Sequence, residues 1–243
     1  PSTSPTLRPG RWGRETEDQI AYAPGQRILR RSWVIEHACL RRRLVPAATL
    51  TSADQGAALA AAMMQGGLDV VEVTFRTPAA ADAIRSISAE FPEMIVGAGT
   101  ILSTEQLDAA IDAGATYAVS PGLNPDVVAH AHSKAFLLMP GTITASEIDL
   151  AIRLGCSLLK FFPAEASGGI DLLKALAGPY AHTGVKFLPT GGVNADNAID
   201  YLSLGCVAAV GGSWMVKNDL IVAGQWAEIT RLCRDAVALA AHS

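Results

Sequence analysis

Lys160 stands in the run "LLKFF" (158–162), between two leucines and two phenylalanines. A buried charged amine is costly unless it is paired or used, because burial penalises the charged form. Glu72 has a similar setting within "VVEVTF" (70–75). If both runs are strands, alternation puts Glu72, Thr74 and Arg76 on one face and Val71, Val73 and Phe75 on the other. The same alternation groups Leu158, Lys160 and Phe162. Burial favours the neutral amine, which can attack a ketone and form a Schiff base while a nearby carboxylate moves protons. Two other readings compete. One is a buried Lys–Glu ion pair, which adds little stability. The other is a surface strand whose lysine reaches back to water, and Phe161 and Phe162 argue against it. The residues alone leave the ion pair open.

Further signals collect at the ends of strand-like runs. Thr100 closes "GAGT", and Pro121 follows the next run in "SPG". "PTGGVNADN" (189–197) brings Gly191 and Gly192, with Asn194 a candidate helix cap, and "GGSW" (211–214) brings Ser213. Glycines let backbone approach a ligand, and N–H groups at helix starts attract anions. Plain turn chemistry would also account for each glycine pair taken singly. His130 and His132, two apart on a helix-like segment, face different ways, and His37, His182 and His242 have no partner motif. With no HExxH, paired-Asp or GxSxG pattern, no metal or other cofactor is called for.

Positioning these residues falls to a regular alternation. Strand candidates are 44–50, 70–75, 94–99, 117–120, 135–139, 158–162, 185–190 and 207–212. Ala-rich helical segments such as 53–65, 79–91, 104–114 and 194–205 lie between them. Eight βα units within 200 residues predict a parallel sheet closed into a single (β/α)8 TIM barrel, near the ~200-residue lower limit of that fold. "AGA", "LGC" and "GG" at segment ends fit glycine C-caps. Barrels of this kind keep their chemistry at the C-terminal ends of the strands and commonly bind phosphate after strands seven and eight. An open doubly wound sheet is the alternative. Its nucleotide fingerprint is missing, since "GAGTIL" (97–102) lacks the third glycine.

The 243 residues are 50% hydrophobic and 17% charged, enough for one large core. Residues 1–25 read as an irregular basic extension, and 26–43 as a helix ahead of the barrel, so that 26–243 form the catalytic domain. Residues 1–43 carry nine arginines against four acidic residues, net +5, which leaves −9 for the rest. No aromatic interleaving supports nucleic-acid binding, and a solvated tail is the simpler reading. No run is long and apolar enough to span a bilayer, and no apolar signal segment opens the chain. Cys39, Cys156, Cys206 and Cys233 are widely spaced, as for reduced thiols in a cytoplasmic protein.

Taken in order, "EVTFRTP", "VGAGT", "SPGLNP", "MPGTITASE", "LKFFPAE", "GGI", "AGPY", "LPTGGV" and "GGSWMV" resemble the bacterial 2-keto-3-deoxy-6-phosphogluconate (KDPG) aldolase family. That family also holds enzymes cleaving 4-hydroxy-2-oxoglutarate (KHG). The resemblance runs from about residue 44 to the C-terminus. It implies a class I, metal-independent lyase on a (β/α)8 barrel, a homotrimer, splitting KDPG into pyruvate and glyceraldehyde 3-phosphate. Lys160 falls on the Schiff-base lysine and Glu72 on the general acid/base. Arg76 and Thr100 fall on groups that hold the pyruvyl carboxylate, Pro121 lines that pocket, and Phe162 falls on the aromatic beside the lysine. Gly191, Gly192 and Ser213 fall on the phosphate loops, with Thr190 close by. Competing functions are an aldolase for KHG or another 2-keto acid, and a silent barrel that binds a phosphorylated metabolite.

Overall fold

The computed structural model describes residues 41–241. The strands are β1 Leu44–Ala48, β2 Val70–Thr74, β3 Ile95–Gly99, β4 Tyr117–Val119, β5 Leu137–Met139, β6 Gly141–Thr142, β7 Leu158–Phe161, β8 Lys186–Pro189 and β9 Val210–Gly212. The helices are α1 Asp54–Gln65, α2 Ala80–Glu90, α3 Thr104–Asp112, α4 Pro125–Ser133, α5 Ala145–Arg153, α6 Ala164–Ser167, α7 Gly169–Tyr180, α8 Ala198–Leu202, α9 Asn218–Val222 and α10 Trp226–Ala240.

Every named strand pair is parallel. One run of neighbours is β5-β4-β3-β2-β1-β9 and the other β6-β7-β8. Two features join them. β5 and β6 are halves of one stave split at Pro140, which has no N–H for the ladder but whose carbonyl accepts from Lys160 N at 2.9 Å. On the other side, bridges Phe187↔Val207 and Thr190↔Gly211 link β8 to the β9 stave. The sheet therefore closes as an eight-staved (β/α)8 barrel, and each strand candidate read from the sequence contains an observed strand.

The helices form for local reasons. In α2 the buried residues Ala80, Ala83, Ile84 and Ile87 recur at helical spacing and face the sheet. α5 starts with a capping box between Thr144 and Glu147, and α4 with an Asn124 cap followed by Pro125. Gly114 (φ +99°) and Gly155 (φ +87°) turn α3 and α5 back toward the next strand. The core between barrel and helices holds Val71, Val73, Val96, Leu59, Met63 and Ile84, all nearly water-free. Each such side chain contributes about 1.5–3 kcal/mol by leaving water.

The barrel interior is tied across its strands. Gly97 on β3 has no side chain, and the Tyr117 ring occupies that space. The Tyr117 hydroxyl thereby donates to the Val71 carbonyl on β2 at 3.0 Å, spanning two strands.

Two expectations change. Arg41–Arg43 form a turn leading into β1 rather than the end of a helix. The remainder of that expected helix, the 1–25 extension, Cys39, His37 and His242 lie outside the described residues. Asn194 does not cap α8: its side chain accepts from Asp196 N at 2.8 Å in a tight turn, and the helix begins after Asn197. His130 pairs with Asp108 Oδ1 at 2.9 Å, a contact supplied by the neighbouring helix and so invisible to local spacing.

Candidate active site

Glu72 on β2 and Lys160 on β7 both point into the barrel and are 1% and 6% exposed. Lys160 Nζ lies 3.8 Å from Glu72 Oε1. That is close enough for strong electrostatic attraction and too long for a direct hydrogen bond. Small neighbours make the room. In register beside Glu72 are Ala47 and Gly97, whose missing side chain admits the Tyr117 ring, and beside Lys160 is Gly141, whose missing side chain admits the Pro121 backbone at the cavity wall. The Glu72 carboxylate reaches over Gly99, where a side chain would overlap it. The Phe162 ring centre is 4.9 Å from Lys160 Nζ, a cation–π distance that also shields the amine.

The pair opens into a cavity of about 310 Å³. Arg76, Thr100, Pro121 and Phe162 line it around the lysine, and Thr190, Gly191, Gly192 and Ser213 complete its wall. The structure thus brings together all ten residues singled out in the sequence. Strand alternation explains Glu72 and Lys160, while the rest sit at the C-terminal ends of strands or in the loops that follow. Thr100 is held at φ +59°, a left-handed conformation that costs a non-glycine residue about 1–3 kcal/mol. Such strain persists where the surrounding fold over-determines it, here at the rim of the cavity.

Of the two phenylalanines only Phe162 screens the amine, and Phe161 takes the other face, as alternation along the strand requires. It is fully buried on the opposite face of β7, in register with Thr142 and Pro189, and packs in the core. Sequence reasoning missed Ala47, Val193 and Gly212, which also line the cavity. Alternation on β1 points Ala47 the same way as Glu72, so that signal was available. Gly212 matters through what it admits: the Trp214 ring occupies the place of a side chain there.

The two ends of the cavity differ chemically. Beside Lys160 lies the carboxylate of Glu72, and Arg76 brings a guanidinium side chain to the same cavity lining. At the other end the donors are backbone. Among the described residues, none accepts a hydrogen bond from the N–H of Gly192, Val193 or Ser213. Unpaired backbone donors converging on a cavity favour an anionic guest.

The family model described as "Aldolase: KDPG and KHG aldolase" matches residues 35–232. The chain is 44% identical over 195 residues to the 2-dehydro-3-deoxy-phosphogluconate aldolase of Haemophilus influenzae, covering 80% of this chain and 91% of that protein. It is 45% identical over 194 residues to the KHG/KDPG aldolase of Escherichia coli K12, covering 80% and 90%. Among solved structures it resembles KDPG aldolase from Legionella pneumophila, with pyruvate captured as a covalent carbinolamine intermediate. That match has TM-score 0.78 and 37% identity over 84% of this chain and 96% of that one. KDPG aldolase of Zymomonas mobilis ZM4 with 3-phosphoglycerate matches at TM-score 0.76 and 37% identity, covering 86% and 95%. On this evidence the chain belongs to the KDPG and KHG aldolase family and is a class I carbon–carbon lyase.

Proposed function

We propose that the chain cleaves KDPG to pyruvate and glyceraldehyde 3-phosphate, with Lys160 as the Schiff-base residue and Glu72 as the acid/base. The observation that carries this reading is the pair itself: an amine and a carboxylate 3.8 Å apart, both nearly water-free, at the floor of a cavity. As a stabilising device alone such a pair is poor, because desolvation offsets the attraction.

In the reaction the neutral Lys160 amine adds to the C2 ketone, and the carbinolamine loses water to give an iminium. Glu72, through a bridging water, takes the proton of the C4 hydroxyl. The C3–C4 bond breaks, its electron pair passes into the iminium, and glyceraldehyde 3-phosphate leaves with a new C4 carbonyl. Glu72 returns the proton to C3 of the enamine, and hydrolysis frees pyruvate and the amine. Arg76 pairs with the C1 carboxylate through its planar fork, next to Thr100 and Pro121. Gly191, Gly192 and Ser213, beside Thr190, hold the phosphate and fix the far end of the substrate. The captured pyruvate of the Legionella protein and the 3-phosphoglycerate of the Zymomonas protein support these two halves of the site.

The second reading, preference for KHG, rests on the relative named for both activities. Specificity constants for KDPG and KHG separate the two. We further propose a homotrimer working in the cytoplasm. Leu102, 56% exposed in an apolar groove with Ile101 and Leu123, and the free thiols Cys156, Cys206 and Cys233 support these two readings respectively. Sedimentation tests the trimer.

Incubation with pyruvate and borohydride, followed by peptide mass spectrometry, tests the chemistry. The expected result is a single reduced pyruvyl adduct on Lys160. An adduct elsewhere, or none while cleavage proceeds, overturns the assignment.

A further inference from the structure

Glu165 and Tyr201 lie outside the cavity wall, yet both brace its glycine turn. The turn leaves β8 at Thr190 and runs through Gly191 and Gly192, at φ +94° and +88°. On one side the start of α6 grips it: Ala164 N donates to the Thr190 carbonyl at 2.8 Å and Glu165 N to the Gly191 carbonyl at 3.0 Å. The Glu165 side chain then packs against Gly192, where an added Cβ would lie 2.5 Å from Glu165 Cβ. On the other side, on α8, Tyr201 is fully buried and its hydroxyl donates to the Glu165 carboxylate. The Gly192 carbonyl also accepts from Asn194 Nδ2 at 3.2 Å and Asn197 Nδ2 at 3.3 Å. With that carbonyl turned into the loop, the N–H groups of Gly192 and Val193, which meet no acceptor among the described residues, are left for the cavity they line.

We propose that Tyr201 and Glu165 form a positioning pair that holds the Gly191–Gly192 turn in shape for a substrate phosphate. This rests on the reading above that the turn binds phosphate. Neither residue touches the reacting atoms. Their part is preorganisation: donors already aimed at an anion bind it without the cost of ordering a loop. Burial, and then the bond to Glu165, pushes the Tyr201 phenol well above its ordinary value, so it stays a donor across the working range. The acceptor role requires an oxygen at residue 165 rather than a charge.

The test uses the full chain, with KDPG, KHG and inorganic phosphate as probes. Tyr201→Phe removes the hydroxyl and keeps the ring. It is expected to raise KM for KDPG and the inhibition constant of inorganic phosphate about tenfold, as loss of a hydrogen bond to a charged group does. The loss falls on KM rather than kcat, and kcat/KM for KHG stays within about twofold. Glu165→Ala is expected to reproduce the loss, and the double variant to be no worse than either single one, since they remove one interaction. Glu165→Gln, which keeps an acceptor oxygen, is expected to restore the wild-type KM. Equal losses on KDPG and KHG, an unchanged KM ratio in Tyr201→Phe, or additive singles would overturn the pair. If Tyr201→Phe does not fold, the Ala and Gln variants of Glu165 decide by the same comparison. Wild-type enzyme indifferent to inorganic phosphate would instead overturn the phosphate site, and the pair with it.

Discussion

The carboxylate of Glu72 occupies the space where Gly99, on the neighbouring strand, has no side chain. The two are set side by side by the β2–β3 register, in which Thr74 pairs with Gly99 and Glu72 with Gly97. A glycine in mid-strand weakens a sheet. Here its absent side chain is what lets the carboxylate come within 3.8 Å of Lys160 Nζ.

Gly99→Ala should therefore act as an active-site mutation without altering any group that touches substrate. Displacing Glu72 removes general acid/base help, worth about 10²–10⁴-fold, so kcat should fall by at least about 100-fold. Glu72→Gln should lose a similar factor. In both variants borohydride should still trap pyruvate on Lys160. Full turnover by Glu72→Gln, measured by steady-state kinetics, would remove Glu72 from the mechanism.

Thr142, on β6, is 2% exposed and its hydroxyl has no hydrogen-bond partner among the described residues. An unsatisfied buried hydroxyl costs free energy that a methyl of the same shape does not. Thr142→Val should raise the unfolding free energy by about 1 kcal/mol. A denaturant midpoint unchanged or lowered at constant slope would contradict this.

The thiols should react in order of burial. Burial raises Cys156 to about 11 and Cys233 to about 12, and it also raises the half-buried Cys206. A raised value means less thiolate at a given pH, so alkylation slows and recovers as pH rises. In a Cys39→Ser background at pH 8, Cys206 should be labelled first, and Cys156 and Cys233 at least about tenfold more slowly. Peptide mapping against time reads the order.

The capping box of α5 should carry acid sensitivity. Burial works to raise the Glu147 carboxyl, but bonds from Ile143 N at 2.9 Å and from Thr144 N and Oγ1, both at 2.8 Å, outweigh it and hold the group below its ordinary value. A depressed folded value means the ionised form stabilises the fold above the unfolded pKa, and that gain is lost as pH falls through the folded one. Glu147→Gln should lower Tm by about 2 °C near pH 7. The gap should close as the pH drops below the carboxylate range. A gap that persists in acid would assign the effect to packing rather than to charge.

How much of this was legible beforehand follows from the range of the forces involved. Side-chain alternation is a local property, so "VVEVTF" and "LLKFF" sufficed to turn Glu72 and Lys160 away from the helix layer and to send Phe161, at the odd position of its strand, to the opposite face. Helix ends are local too, because caps are written within about four residues of the end they satisfy, yet the Asn194 cap failed because its side chain closes a tight turn ahead of the helix. The His130–Asp108 pair, 22 residues apart, is not local.

The sequence by itself determined the period: short apolar strands, amphipathic helices, glycine-rich ends, and two ionisable residues on strand faces that a barrel must turn inward. Tertiary structure alone decided which of these meet. Closure through Thr190↔Gly211 and the Pro140 split brings the β2 and β7 staves, 88 residues apart at Glu72 and Lys160, to face each other across one cavity. It also puts Tyr201 against Glu165 and sets the Glu72 carboxylate in the space over Gly99. Those distances depend on register and on the side chain that is missing at Gly99, which are properties of neighbours distant in the chain. No local pattern encodes them.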